Sequence, residues 1–401
     1  MVKEAAAAGR PVKVVGTGHS FTDAACTTGT MIRLDRHQRL LEVDRESGRV
    51  TVQAGVSLHT LNRTLEVYGL ALPNLGDIEY QTVAGALATG THGTGAGFGC
   101  LATQVLGMEL VTGDGSVRSL SPADDADAFD AAKVSVGALG VVSTITLQCV
   151  PAFNLHAVEE PLRLDETLER FDEFVDGNDH FEFFWMPHSR WVIAKRNNRV
   201  DGPQRRRSRP KEWFDDVFMQ NVLFGLIGWV QVRRPQWVRT INRAIPKPGR
   251  IDYVERSDRV FTTPRMVKFC EMEYGFPRAD AVGVIGEVRR YLTSGALDIG
   301  FPIEVRVTAA DDIPLSMASG RASCFIACHV FKGQRYEEYF RAIEDIMKAV
   351  GGRPHWGKLH FQDSASLAGL YPQWERFQGV RKRLDPEGRF ANAYTTRVFG
   401  T

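Results

Sequence analysis

Charge of one sign is not in excess here: 49 lysines and arginines face 48 aspartates and glutamates over 401 residues. So even a balance provides no overall field for neutralising phosphates, which excludes a nucleic-acid binder that works through net charge. Cysteine is equally scarce. Cys26, Cys100, Cys149, Cys270, Cys324 and Cys328 are scattered as in a reducing compartment, not clustered as in a disulfide-stapled secreted domain. Only Cys324 and Cys328 come close, with His329 beside them. A C-x-x-x-C-H run without a second ligand pair is poor zinc spacing, so buried thiols and no metal are expected. The N-terminus lacks the basic head and apolar stretch of a signal peptide, which makes cytoplasmic residence the default expectation. Lys3 to Ala8 reads as the end of a helix stopped by Gly9, so the chain is expected to start within an element, with the first N-terminal unit cut short.

What is present is a 43% hydrophobic composition, enough to bury a large core and better suited to two packed domains than to one. Val12 to Val15 and Met31 to Leu34 read as strands, and Leu41–Val43 with Val50–Val52 as a hairpin around Glu46-Ser47-Gly48. Ser57 caps a helix with Leu58, Leu61, Leu65 and Tyr68 on one face, ended by Gly69. Met108–Val111 and Val117–Leu120 form a second hairpin at Asp114-Gly115, and Val141 to Val150 a strand. Beyond Pro151 aromatic residues increase. Leu168, Phe171 and Phe174 mark a helix, Phe181 to Trp185 an apolar strand, and Tyr336 to Val350 a helix stopped by Gly351-Gly352.

Three segments expose backbone: 16–20, 84–97 and 135–140. Gly16-x-Gly18 invites comparison with a dinucleotide fingerprint, but the next required glycine would fall at Phe21 and no suitable helix follows. What the 16–20 turn offers instead is a run of N–H groups in a strand-to-turn bend, a concavity suited to a pyrophosphate. His19 lies within it, and on local sequence alone a surface turn histidine and a functional one are both open readings.

Val15-Gly16-Thr17-Gly18-His19-Ser20-Phe21, Leu72-Pro73-Asn74-Leu75-Gly76, Ala88 to Gly95 (Ala-Thr-Gly-Thr-His-Gly-Thr-Gly) and Gly137-Ala138-Leu139-Gly140-Val141-Val142 resemble the FAD-linked oxidases of the vanillyl-alcohol oxidase superfamily, most of all its aldonolactone oxidoreductases. The tail agrees in Arg353-Pro354-His355-Trp356-Gly357-Lys358 and in Leu384 to Asn392. The resemblance runs in order over nearly the whole chain. It implies an α+β, two-domain fold: an FAD-binding domain over 1–152, a cap or substrate domain over 153–352, and a C-terminal segment, 353–401, returning to the FAD domain. It also implies FAD attached covalently through His19 and wrapped by Gly16, Thr17, Gly18 and Ser20, by Asn74, Gly76 and Asp77, by Thr89, Gly90, Thr91, His92, Gly93 and Thr94, and by Gly140 and Val141, with His355 touching the ring.

In Ile303-Glu304-Val305-Arg306-Val307, alternation puts Glu304 and Arg306 on one face of a strand. By itself that pair is a structural ion pair or a site. The resemblance carries the family's Glu-x-Arg pair onto it, with Glu304 on the sugar hydroxyls, Arg306 beside the reduced flavin, and Lys358 polarising or deprotonating the substrate hydroxyl. The implied reaction is oxidation of a sugar-acid 1,4-lactone, with dioxygen or a redox acceptor such as cytochrome c taking the electrons. Gly76 stands where the family's gatekeeper does, and glycine there favours oxygen access. The rival readings are an alditol oxidase and a flavin-binding protein that has lost catalysis. Finally, the apolar residues of 213–234 between Arg205–Lys211 and Arg233-Arg234 suit either a helix at a lipid interface or a packed cap helix.

Overall fold

The computed structural model describes residues 1–401 except Pro246, Pro248 and Ala296. The fold is α+β. A parallel pair, Val12–Val15 with Thr30–Arg33, precedes a five-stranded sheet in the order Leu40–Asp44, Arg49–Gln53, Val141–Gln148, Val105–Val111, Val117–Leu120. An antiparallel sheet of eight strands follows: Ile251–Arg256, Asn154–Arg163, Trp191–Val200, His180–Trp185, Ile303–Thr308, Ser323–Phe331, Phe269–Pro277 and, at the edge, Arg353–Pro354.

Most expected elements lie where periodicity put them. Ser57 accepts a hydrogen bond from the Thr60 N–H and opens the Leu58–Val67 helix, whose Leu58, Leu61 and Leu65 are buried. Two expectations need revision. The 164–176 region is two short helices, Leu164–Glu169 and Phe171–Asp176, broken at Arg170. The Phe181–Trp185 strand is not wholly apolar, because Glu182 is buried within it. Segment 213–233 is π-helical over Trp213–Leu223 and α-helical over Phe224–Arg233. No helix among the described residues is long and apolar enough to cross a membrane.

Two main cores result. One joins Val50, Val52, Leu61, Leu65, Ile145 and Leu147 of the first sheet to Phe377, Val380, Leu384, Val398 and Phe399 of the C-terminal helices. The other lies between the eight-stranded sheet and the helices Ala281–Thr293 and Glu337–Ala349, where Phe181, Phe183, Val305, Ile326 and Tyr274 interdigitate with Val284, Val288, Phe340 and Ile343. The chain's end is thus part of the N-terminal core. Phe377 is fully buried, its ring 5.1 Å from that of Phe399. Phe377→Ala is expected to cost about 3–5 kcal/mol through lost burial and a residual cavity, read as a lower denaturation midpoint in urea.

Candidate active site

Because successive side chains of a strand point to opposite faces, the apolar core on one side of the eight-stranded sheet leaves the other side to polar residues. Register collects them. Glu182 is opposite Lys195, Glu304 opposite Ala327, Ala327 opposite Glu273, and Glu271 opposite His329. Five strands therefore contribute to one charged face. Cys324 and Cys328 point into the apolar core on the other side, away from His329, so these three side chains do not converge.

At one end of this face Arg306 is the centre. Its Nε lies 2.9 Å from Glu182, its Nη2 lies 3.0 Å from Asp77, and it pairs with Glu304. Asp77 reaches in from the loop that follows Asn74-Leu75-Gly76 and also pairs with Arg265. Lys195 Nζ lies 3.5 Å from Glu182. Burial opposes ionisation of Asp77, but Arg265, Arg306 and Lys195 outweigh it and hold its carboxyl below the usual range. For Glu304 the balance goes the other way. Burial dominates, Asp77 and Glu182 add repulsion that Arg306 only partly offsets, and its carboxyl is pushed up to about 8. The oxygens of Asp77, Glu182 and Glu304 come within 4.8 Å of one another, with the guanidinium among them serving as their countercharge.

The other end is built from the Phe269–Pro277 strand and the turn after Arg353–Pro354. Backbone bonds from His355 N to Glu273 O and from Leu359 N to Glu271 O, both 2.9 Å, lay that turn along the strand. Lys358 pairs with Glu271, whose other oxygen is 3.4 Å from His329 Nε2, and His92 Nε2 lies 3.1 Å from Glu273. Burial would discharge Lys358, but Glu271 and Glu273 outweigh it and raise its pKa. Buried His355 is driven down to about 3 and stays neutral.

The 16–20 turn packs against the same tail: Phe21 N donates to Gly357 O at 2.8 Å, and Lys358 Nζ stands 5.4 Å from the Phe21 ring. His19 is exposed, and partial desolvation followed by the Lys358 charge lowers its pKa. Among the described residues, the backbone N–H groups of Thr17, Gly18, His19 and Ser20 donate to no protein acceptor. Gly18 turns with φ +74° and open space beside it, whereas a Cβ on Gly16 would come within 2.5 Å of Thr82 Oγ1. Four free donors on an open bend next to a fixed cation match the needs of a dinucleotide pyrophosphate, so the residues present fit FAD.

Most of the other expected cofactor residues are buried and bonded to neighbouring loops. Asn74 Nδ2 donates to Thr94 O at 3.2 Å, Thr89 Oγ1 to Gly85 O at 3.1 Å, and the His92 ring packs at a tilt against Phe325, centroids 3.8 Å apart. Thr94 Oγ1 bonds Phe181 O and accepts from Val307 N, tying the glycine loop to the eight-stranded sheet. Thr91 N donates to Ala86 O at 2.9 Å, and Gly90 turns with φ +73°. Gly93 abuts Leu75 O, Gly140 abuts Val111 O, and Val141 is buried with Val12, Ile32 and Phe390. A Cβ on Gly76 would lie 3.1 Å from His92 O and 3.3 Å from Thr91 Cγ2, tighter than ordinary contact. Lys13, buried below the loops, donates to Phe390 O at 3.2 Å and Gly137 O at 3.4 Å.

Sequence reading missed Glu182, Lys195, Arg265, Glu271 and Glu273. The signal was available for the last two: Glu-x-Glu in Phe269–Pro277 is the same one-face pattern as Glu304-x-Arg306.

Comparison with known proteins agrees with this geometry. Residues 1–121 match the FAD binding domain family and residues 145–398 the D-arabinono-1,4-lactone oxidase family. The chain is 45% identical to L-gulono-1,4-lactone dehydrogenase of Mycobacterium tuberculosis, over 100% of this chain and 93% of that protein. It is 37% identical to L-gulonolactone oxidase of Bos taurus, over 97% and 89% of the two. The solved cholesterol oxidase of B. sterolicum superposes with a TM-score of 0.82 over 99% of this chain and 91% of that one, and at 16% identity the likeness is one of fold. With the two family matches following one another along the chain, this protein belongs to the D-arabinono-1,4-lactone oxidase family of FAD-dependent aldonolactone oxidoreductases.

Proposed function

We propose that this protein oxidises the 1,4-lactone of a sugar acid, of the L-gulono-1,4-lactone type, using FAD bonded covalently to His19. In this reading residues 1–152 and 353–401 hold the cofactor and 153–352 supply the substrate face. One observation supports it above the others: Lys358 stands 5.4 Å from the ring of Phe21 in the 16–20 turn and also pairs with Glu271 on the charged sheet face. The flavin supplies the hydride acceptor. The chain's residues do the rest.

Lys358, kept charged by Glu271, donates to the substrate hydroxyl oxygen and polarises it; a raised pKa suits a donor rather than a base. Glu304, neutral at pH 7, can donate to one sugar hydroxyl and accept from another. Arg306 would supply a fixed positive charge to the bound flavin, of the kind that stabilises a reduced ring. His19, uncharged because its pKa is lowered, keeps a ring nitrogen lone pair free for the covalent link. Dioxygen or another electron acceptor completes turnover. The exposed Trp213, Phe214, Leu226 and Trp229 beside Arg233 and Arg234 support peripheral contact of a cytoplasmic protein with a lipid surface.

Three outcomes test this reading. In anaerobic stopped-flow, Arg306→Ala should slow flavin reduction by about 10²-fold or more, and Arg306→Lys by less, with FAD content kept in the lysine variant. Acid-precipitated wild type should stay yellow, whereas His19→Ala should release any colour to the supernatant; a colourless wild-type pellet refutes the covalent link. Lactone affinity should be flat below about pH 8 and weaken above it as Glu304 loses its proton beside Asp77 and Glu182. Glu304→Gln should remove that inflection.

A further inference from the structure

A surface groove lies outside the site just described, between segment 213–233 and the adjoining ends of the strands Phe269–Pro277 and Ser323–Phe331. It has a volume of about 460 Å³. Val222, Gly225, Trp229, Val267 and Phe331 make its walls apolar, and Arg233, Lys268 and Lys332 line it as well. Its shape depends on two glycines. A Cβ on Gly228 would strike the Phe331 ring at 2.1 Å, so the helix backbone rests on that ring, while a Cβ on Gly225 would only touch Val267, at 3.6 Å, and any longer side chain there would project into the groove.

Aromatic side chains fill the interval from this groove to the cofactor turn. The Phe331 ring is 4.8 Å from Phe301, Phe301 is 5.4 Å from Phe269, and Phe269 is 5.6 Å from Phe21. Phe21 is two residues from His19 and lies under Lys358. Phe301 also stacks on His329 at 4.9 Å, and His329 shares Glu271 with Lys358. The groove therefore opens at one end of a short aromatic series whose other end is the active site.

We infer that the groove binds a prenylated benzoquinone or naphthoquinone, its tail along Val222, Gly225 and Val267 and its ring towards Phe331 and Phe301. This rests on the flavin-dependent oxidation proposed above. The lactone gives up two electrons and two protons as its C–H and O–H bonds are broken. The quinone takes up two electrons and two protons and leaves as the quinol, so the balance closes without oxygen. Two features favour a quinone over a lipid chain or a protein acceptor. The cations stabilise negative charge developing on quinone oxygens, and the ring series leads to the flavin turn, which an acyl chain has no use for. A concave apolar slot is also the wrong shape for a folded protein partner.

Trp229 gives a readout independent of turnover, since quinones quench indole fluorescence. Titration of the holoenzyme with a quinone bearing two isoprene units should quench saturably, at a concentration at least tenfold below that needed for the tail-less ring. Trp229→Phe should remove most of the signal. Gly225→Leu, which fills the slot, should weaken quenching at least tenfold and lower anaerobic quinol formation in proportion, with lactone-driven flavin reduction unchanged. Quenching that does not saturate, or is the same in Gly225→Leu, overturns the proposal. So does full displacement by a saturated fatty acid with no quinol formed by the wild type, which would make the groove an acyl-chain site. Failure of every lactone to reduce the flavin would instead refute the substrate reading while leaving the quenching measurement intact.

Discussion

The site depends on one electrostatic constraint, the enclosure of the Arg306 guanidinium by Asp77, Glu182 and Glu304. Three carboxylates around one cation cannot all ionise cheaply in a buried place. Asp77 is held below its usual range, while Glu304 is pushed up to about 8. That partition gives the face its variety: a fixed cation, an anion that positions it, and a neutral carboxyl able to donate and accept. Asp77 comes from the N-terminal part of the chain and the others from the eight-stranded sheet, so the same ion cluster also sets how the two parts meet. Arg265 binds Asp77 from outside and completes the clamp.

A second buried set works in parallel at the tail. Glu271 holds Lys358 and His329, and Glu273 holds His92, while neutral His355 takes no charge from them. The two sets differ in outcome because the tail set pairs each carboxylate with its own nitrogen partner, whereas the Arg306 set is crowded with acids. Alternation along extended strands is what keeps all this charge off the apolar core behind the sheet.

How much of this was legible beforehand follows from the range of the forces involved. Local signals were read well: the Ser57 cap, the helix ending at Gly351, the same-face pair Glu304 and Arg306. Glycine loops were recognisable as backbone-exposing, and the resemblance implied FAD on them. What each side chain bonds was not legible. Asn74, His92 and Thr94 brace one loop against another, because such partners are set by what packs against them in three dimensions. Glu182 was hidden among phenylalanines, and its meaning appears only when register sets it beside Arg306 and Lys195. The break at Arg170 reflects backbone competition that a stripe of Leu168, Phe171 and Phe174 does not reveal.

The tail that carries Lys358 also supplies Phe377 and Phe399 to the core of the first sheet. During synthesis on a ribosome, the 16–20 turn emerges early and the residues that support it emerge last. That turn therefore waits, solvated and unsupported, until almost the whole chain has been made. Neither Phe21 nor Lys13 has its partner, Gly357 or Phe390, before then. Completion of this corner thus becomes a checkpoint for the finished polypeptide: a chain that stops short carries His19 but not Lys358, whose charge lowers the histidine's pKa.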